Sequence, residues 1–250
     1  MSTLVTGADG LIGGRIAARL RERRERVVGY DDLRRLADHI AEQDVRGIVH
    51  AAEVPRAARL LEAVRPANPA SRTVVLSFSG ARRDGARQLP GQVYVHRYGL
   101  DVVTLRVGEA YGPGHAASGV LQHVLNAAIG SRSLRLATGA DHALRPVHVE
   151  DVARAAVAAL DAPCPATRVY DITGAEQVTL AHVVALLRDR IPDADISLGP
   201  GRLPGHDDER PVAVRTADRE LGYRPRWGLA RGIDDLCTWW ESRELAEGAA

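Results

Sequence analysis

An apolar run at residues 3–6 leads into Gly7-Ala8-Asp9-Gly10-Leu11-Ile12-Gly13, whose glycines fall three residues apart. Ile16, Ala17 and Leu20 then continue the face of Gly13 at helical spacing. This strand, glycine turn and helix constrain the fold more than any other stretch of the chain. A helix opened by such a turn offers backbone N–H groups at its positive end, and glycines let a pyrophosphate approach the backbone closely. A second apolar run at 27–30 ends in Asp31, where a carboxylate would bond an adenosine ribose. A tight turn without a ligand is the competing reading, and the strand before it and the helix and acidic residue after it count against that.

Strand-like and helix-like stretches alternate along the rest of the chain. Residues 47–52, 73–77, 101–106 and 168–172 read as strands, and 33–43, 57–64 and 151–160 as helices. This pattern predicts an α/β doubly wound parallel sheet of the Rossmann type with about six strands. Beyond 172 come an amphipathic helix at 180–190, a Gly/Pro-rich stretch at 199–211 and a last helix at 229–244. The expected organisation is a dinucleotide-binding domain at 1–172, with 112–145 contributing to a substrate lobe, and the small lobe itself at 173–250.

Composition narrows the function. With 45% hydrophobic residues the chain buries a sizeable core, and its net charge of +1 argues against nucleic acid as a partner. Acidic and basic residues interleave, as in Arg21-Glu22-Arg23-Arg24-Glu25-Arg26, which suits a solvated helix end. Cys164 and Cys237 match no metal-ligand spacing and no disulfide framework, so no metal is expected. No charged leader precedes the first strand and no apolar stretch approaches the ~20 residues of a membrane span, which predicts a soluble, cytoplasmic protein acting on a small molecule.

The glycine spacing resembles that of the extended, epimerase/dehydratase-like branch of the short-chain dehydrogenases, and the resemblance runs through Val49-His50-Ala51-Ala52, Leu105-Arg106-Val107-Gly108-Glu109-Ala110-Tyr111-Gly112-Pro113-Gly114, Arg145-Pro146-Val147-His148-Val149-Glu150-Asp151-Val152-Ala153 and Glu220-Leu221-Gly222-Tyr223-Arg224-Pro225. It implies cofactor contacts at Gly7, Gly10, Leu11, Ile12, Ala51, Ala52, Ser77 and Gly108. It also implies a substrate-facing loop at Glu109 and Tyr111, and a substrate-orienting serine at Ser79. A strand-end serine bonded to local backbone is the equal alternative for Ser79. Asp31 suits a free ribose hydroxyl, whereas Arg15, Arg34 and Arg35 suit a 2′-phosphate if they converge there, so the expected cofactor is NADPH, with NADH tolerated.

The departures decide the expected chemistry. All 33 basic residues are arginine, and the chain contains no lysine. The family's catalytic tyrosine precedes a lysine by four positions, but here Tyr94 is followed by Tyr98, and Tyr98 by Val102. The 79–106 segment also looks too short for a full tyrosine-bearing helix, and 31–50 has room for one helix without the family's extra edge strand. A tyrosine with a pKa of about 10 and no neighbouring cation is poorly matched to proton exchange near neutrality. Hydride transfer by positioning survives such a loss, and a phenol next to the ketone can supply the proton from within the substrate. The pattern resembles the tyrosine-lacking ketoreductases of angucyclinone-type aromatic polyketides, so the expected activity is an NAD(P)H-dependent ketoreductase of antibiotic biosynthesis. Sugar-nucleotide epimerase or dehydratase, and a non-catalytic NAD(P)-sensing protein, are the alternatives. His96, His115 and His123 are candidate proton donors, each competing with a surface or satisfied histidine. Tyr30, Trp227, Trp239 and Trp240 read as packing residues.

Overall fold

The computed structural model describes residues 2–30, 32, 35–42, 44–52, 54–78, 90–114, 119–163, 165–204 and 214–248. In chain order the elements are β1 (Ser2–Thr6), α1 (Leu11–Glu22), β2 (Arg26–Gly29), α2 (Leu36–Glu42), β3 (Val45–His50), α3 (Val54–Ala67), β4 (Arg72–Phe78), α4 (Pro90–Tyr98), β5 (Val102–Val107), β6 (Ala110–Tyr111) and α5 (Val120–Ile129). There follow β7 (Leu134–Leu136), β8 (Ala143–Leu144), β9 (Val147–His148), α6 (Val149–Asp161), β10 (Val169–Ile172), β11 (Val178–Thr179), α7 (Leu180–Arg190), β12 (Ile196–Leu198), α8 (Val214–Leu221) and α9 (Leu229–Gly248).

The chain divides into two compact units, one of 1–107, 150–172 and 213–224, the other of 108–149, 173–212 and 225–250. It interleaves more than the sequence suggests, because 213–224 returns to the first unit.

The first unit holds a six-stranded sheet in the order β10-β5-β4-β3-β1-β2, every neighbour parallel. Strands covered on both faces read as continuous apolar runs, as Val74-Val75-Leu76 does in β4, all buried. From β1 the chain moves outward to β2, then returns past β1 to β3 and continues the other way through β4 and β5. The direction reverses between β1 and β3, and ligands of such sheets bind at the carboxyl ends of the strands flanking that switch. The face of α1 expected from the sequence is the one buried: Ile12, Gly13, Ile16, Ala17 and Leu20. Leu36 and Ile40 of α2 and Leu60, Leu61 and Val64 of α3 join one apolar cluster with Leu4 and Ile48.

Two polar clusters fasten helices to this sheet. Arg72, at the start of β4, donates from Nε to Asp101 (2.5 Å) and from Nη1 to the carbonyls of Ala159 (3.0 Å) and Ala162 (2.7 Å) at the end of α6. Glu220 ties α8 to β10, accepting from the Thr167 N–H (2.9 Å) and the Tyr170 hydroxyl (2.7 Å). The Thr167 amide first, then Tyr170, pull the Glu220 carboxyl down to about 2. A depressed carboxylate stabilises the fold above its unfolded pKa of about 4.3 and loses that contribution as pH falls toward about 2. Glu220→Gln is therefore expected to lower Tm at pH 7, with the gap to the wild type clearly narrower at pH 3, as thermal melts at both values would register.

The second unit packs α5, α7 and α9 around Leu125, Leu180, Val183, Leu187 and Ile233, with short strand pairs β6–β9, β7–β12 and β8–β11. Of its elements only α7 and α9 stand out in the sequence, and α9 runs on to Gly248. Among the described residues no helix is long and apolar enough to cross a membrane.

Candidate functional site: a glycine turn at the carboxyl ends of β1 and β3

The turn is built by backbone contacts that leave no room for side chains. Gly7 leaves β1 in the left-handed region (φ 71°), and a Cβ there would stand 2.7 Å from the Ala51 carbonyl oxygen. At Gly13 an added Cβ would lie 2.0 Å from the Gly7 carbonyl oxygen, inside any permitted contact. The Gly10 amide donates to the Gly7 carbonyl (3.0 Å) and Gly10 itself caps α1, followed by Leu11 and Ile12 in the first turn. At the strand ends, Thr6 Oγ1 and His50 Nδ1 share a buried hydrogen bond of 2.7 Å, and the Ala51 amide donates to the Thr6 carbonyl (3.2 Å). Gly7, Gly10, Leu11, Ile12, Ala51 and Ala52 thus meet at the switch point. Closely packed backbone at the positive end of a twelve-residue helix fits a dinucleotide pyrophosphate.

Of the three arginines weighed for a 2′-phosphate, Arg15 is engaged by a carboxylate. Arg15 pairs with Glu150 on α6, and Arg19 joins the same carboxylate (2.8 and 3.1 Å). Burial opposes ionisation of Glu150, but the bonds from Arg19 and Arg15 outweigh it and hold the carboxyl below its usual range. Arg35 is exposed, its amide donating to the Asp32 carbonyl. Asp31, Arg34, Ser79 and His115 lie outside the described residues. Ser77 is half-buried near the end of β4, in register with Arg106, and Gly108 follows the end of β5.

A short helix, α4, does form after β4 and carries both tyrosines. Gly91 lies over Val102 and Thr104, so the rest of α4 runs toward the amino ends of the strands. His96 is exposed there, lining a cavity of about 270 Å³ with Gln92, Val93 and Arg97. The length of a six-residue strand, about 17 Å, separates that edge from the carboxyl ends. The Tyr94 hydroxyl donates to Glu62 (2.6 Å), and burial, then this bond, push the phenol up to about 12. A phenol so bonded is a poor proton source near neutrality. Tyr94→Phe is expected to leave turnover within about twofold of the wild type, with a slightly lower Tm, in paired rate and melting measurements. A cavity of about 300 Å³ lies at the far end of α1, where Arg19, Arg23 and Arg154 line it and each pairs with a carboxylate.

In the second unit the Glu109 carbonyl accepts from the Val147 amide (2.9 Å) and the Glu109 side chain is half-buried. Tyr111 is buried, its ring edge-on to His148 at 5.3 Å, and Gly232 lies so close that a Cβ would meet the tyrosine hydroxyl at 2.1 Å. His148 stacks on Trp227 at 4.1 Å, Arg231 lies 4.0 Å over the same indole, and His148 Nε2 is 3.3 Å from Asp235. Trp227 packs as expected, whereas its pairing with His148 and Arg231 carries no sequence signal. His123 is exposed on α5. Among the described residues no group of three His, Cys, Asp or Glu side chains is placed to hold a metal ion.

Residues 91–173 match the model of the NAD dependent epimerase/dehydratase family. Over 96% of its length the chain is 22% identical to UDP-glucuronate 4-epimerase 3 of Arabidopsis thaliana, covering 76% of that protein. It superposes on the UDP-glucuronic acid 4-epimerase of Bacillus cereus, solved with UDP-glucuronic acid and NAD, with a TM-score of 0.79 at 18% identity, covering 97% of this chain and 100% of the other. For the UDP-glucose 4-epimerase of Thermus thermophilus in complex with NAD the values are 0.75, 22%, 96% and 99%. The chain therefore has the Rossmann-type fold, built on a six-stranded parallel sheet, of the NAD-dependent epimerase structures.

Proposed function

We propose that the chain binds NAD(H) at its glycine turn and carries out redox chemistry on a nucleotide sugar, in the manner of an epimerase or dehydratase. The observation that carries the reading is the contact of Gly7 and Gly13 with the backbone at the switch point, which reserves the positive end of α1 for a pyrophosphate. The likeness to nucleotide-sugar enzymes over nearly the whole chain supports the substrate class in preference to an aromatic polyketide. NAD replaces NADPH as the favoured cofactor because the compared structures hold NAD and because Arg15 is engaged by Glu150. The proton is handled by a group other than a tyrosine–lysine pair, since the chain has no lysine.

That absence, with the Tyr94 hydroxyl bonded to Glu62, favours a second reading: ketone reduction in which an adjacent phenol of the substrate supplies the proton and Ser79 at most orients it. The experiment incubates the protein with NAD and UDP-glucose or UDP-glucuronate, following products by NMR. In parallel it offers NADH or NADPH with aromatic ketones bearing or lacking an adjacent phenol. Conversion of a UDP-sugar supports the first reading. Turnover confined to phenol-bearing ketones, with no UDP-sugar converted, replaces it by the second, and cofactor binding without turnover in either arm points to a sensor.

A further inference from the structure

We infer, resting on the dinucleotide reading above, that the outer face of α2 sets the cofactor's charge preference: Asp38 and Glu42, held beside the end of β2 by the stack of His39 on Tyr30, exclude a 2′-phosphate and select NAD(H). The end of β2 abuts the glycine turn. A Cβ added to Gly29 would stand 3.0 Å from the Ala8 Cβ, and the Tyr30 amide donates to the Val5 carbonyl (3.0 Å), keeping Tyr30 beside β1. In a unit of this topology the adenosine ribose lies against the residues that follow the second strand.

His39 of α2 lies over the Tyr30 ring with centroids 4.6 Å apart and planes 21° from parallel. This stack pins the helix to the strand end. Asp38 precedes His39 and Glu42 lies one turn beyond Asp38, both exposed on the same side of a helix whose Leu36 and Ile40 face the core. Asp32, exposed, adds a third carboxylate. The Tyr30 phenol registers the surroundings: after burial, Asp32 raises it most, Arg35 opposes, and Asp38 and Glu42 raise it further. A 2′-phosphate brings a charge of about −1.5 to −2 into that field. Arg15, the nearest arginine of α1 to the turn, is committed to Glu150.

The test titrates the wild type, Asp38→Asn, Glu42→Gln and the double variant with NADH and NADPH at about 0.02 and 0.3 M salt. The wild type is expected to favour NADH. In the double variant NADPH is expected to bind about fivefold tighter at low salt, with NADH unchanged within about twofold, and the gain to shrink at high salt as screening rises. An unchanged NADPH/NADH ratio, a parallel change in both affinities, or a wild type that favours NADPH overturns the role of α2 while leaving the dinucleotide reading standing. A folded wild type that binds neither removes that reading and this assignment together.

Discussion

Gly13→Ala is expected to destabilise the protein by about 3 kcal/mol and to abolish NADH binding. In an ordinary helix the substitution would stabilise, since alanine exceeds glycine by about 1 kcal/mol in helix propensity. Here the new Cβ would lie 2.0 Å from the Gly7 carbonyl oxygen and 2.6 Å from its carbon. Those atoms belong to backbone that is itself packed against Ala51, so relief requires forcing the turn and the start of α1 apart. Steric cost therefore outweighs propensity, and the displaced turn is the one that would receive the pyrophosphate. Gly99→Ala is the control: its φ of 67° carries strain of about 1–2 kcal/mol, but nothing lies within 4 Å of the added carbon. Urea denaturation and NADH titration of the two variants separate them, and a Gly13→Ala protein as stable as the wild type would contradict the close approach described for the turn.

Arg72→Leu is expected to cost about 3 kcal/mol, lowering Tm by roughly 10 °C. The arginine is largely buried and bridges three groups: the Asp101 carboxylate and two carbonyls at the end of α6. Carbonyls in the last turn of a helix have no partner within it, so removing the guanidinium strands them along with a carboxylate. Asp101 keeps its bond to Arg168 (2.5 Å), which limits the loss. Leucine retains the apolar stem, so the loss measures the polar contacts. A double-mutant cycle with Asp101→Asn apportions the effect, and additive losses would show that the two residues do not act together.

Much of this fold is legible in the sequence because its signals are local. The burial of Gly13, Ile16, Ala17 and Leu20 follows from helical spacing, and the parallel sheet from unbroken apolar runs such as 74–76. Helix α2, at Leu36–Glu42, falls within the stretch 33–43 read as helical. Harder to read are elements that tertiary packing stabilises: α4 is nine residues long, opens at a proline and shows only weak amphipathic spacing. The arginines show the same limit at the site. Spacing places Arg15 near the turn, but its partner Glu150 lies 135 residues away, and no periodicity reports that pairing. Tyr94 illustrates it again, since the sequence reveals the missing lysine but not the Glu62 carboxylate that takes up the hydroxyl. Asp38 and Glu42 look like ordinary exposed helix charges until the His39–Tyr30 stack ties their helix to the end of β2.

The central claim is that the glycine turn holds an NAD-type dinucleotide, and titration of the purified protein with NADH, followed by calorimetry with ADP-ribose as competitor, tests it most directly. Saturable binding at one site per chain, displaced by ADP-ribose and lost in Gly13→Ala, is the predicted result. A folded wild-type protein that takes up neither NADH nor ADP-ribose at millimolar concentration would contradict it.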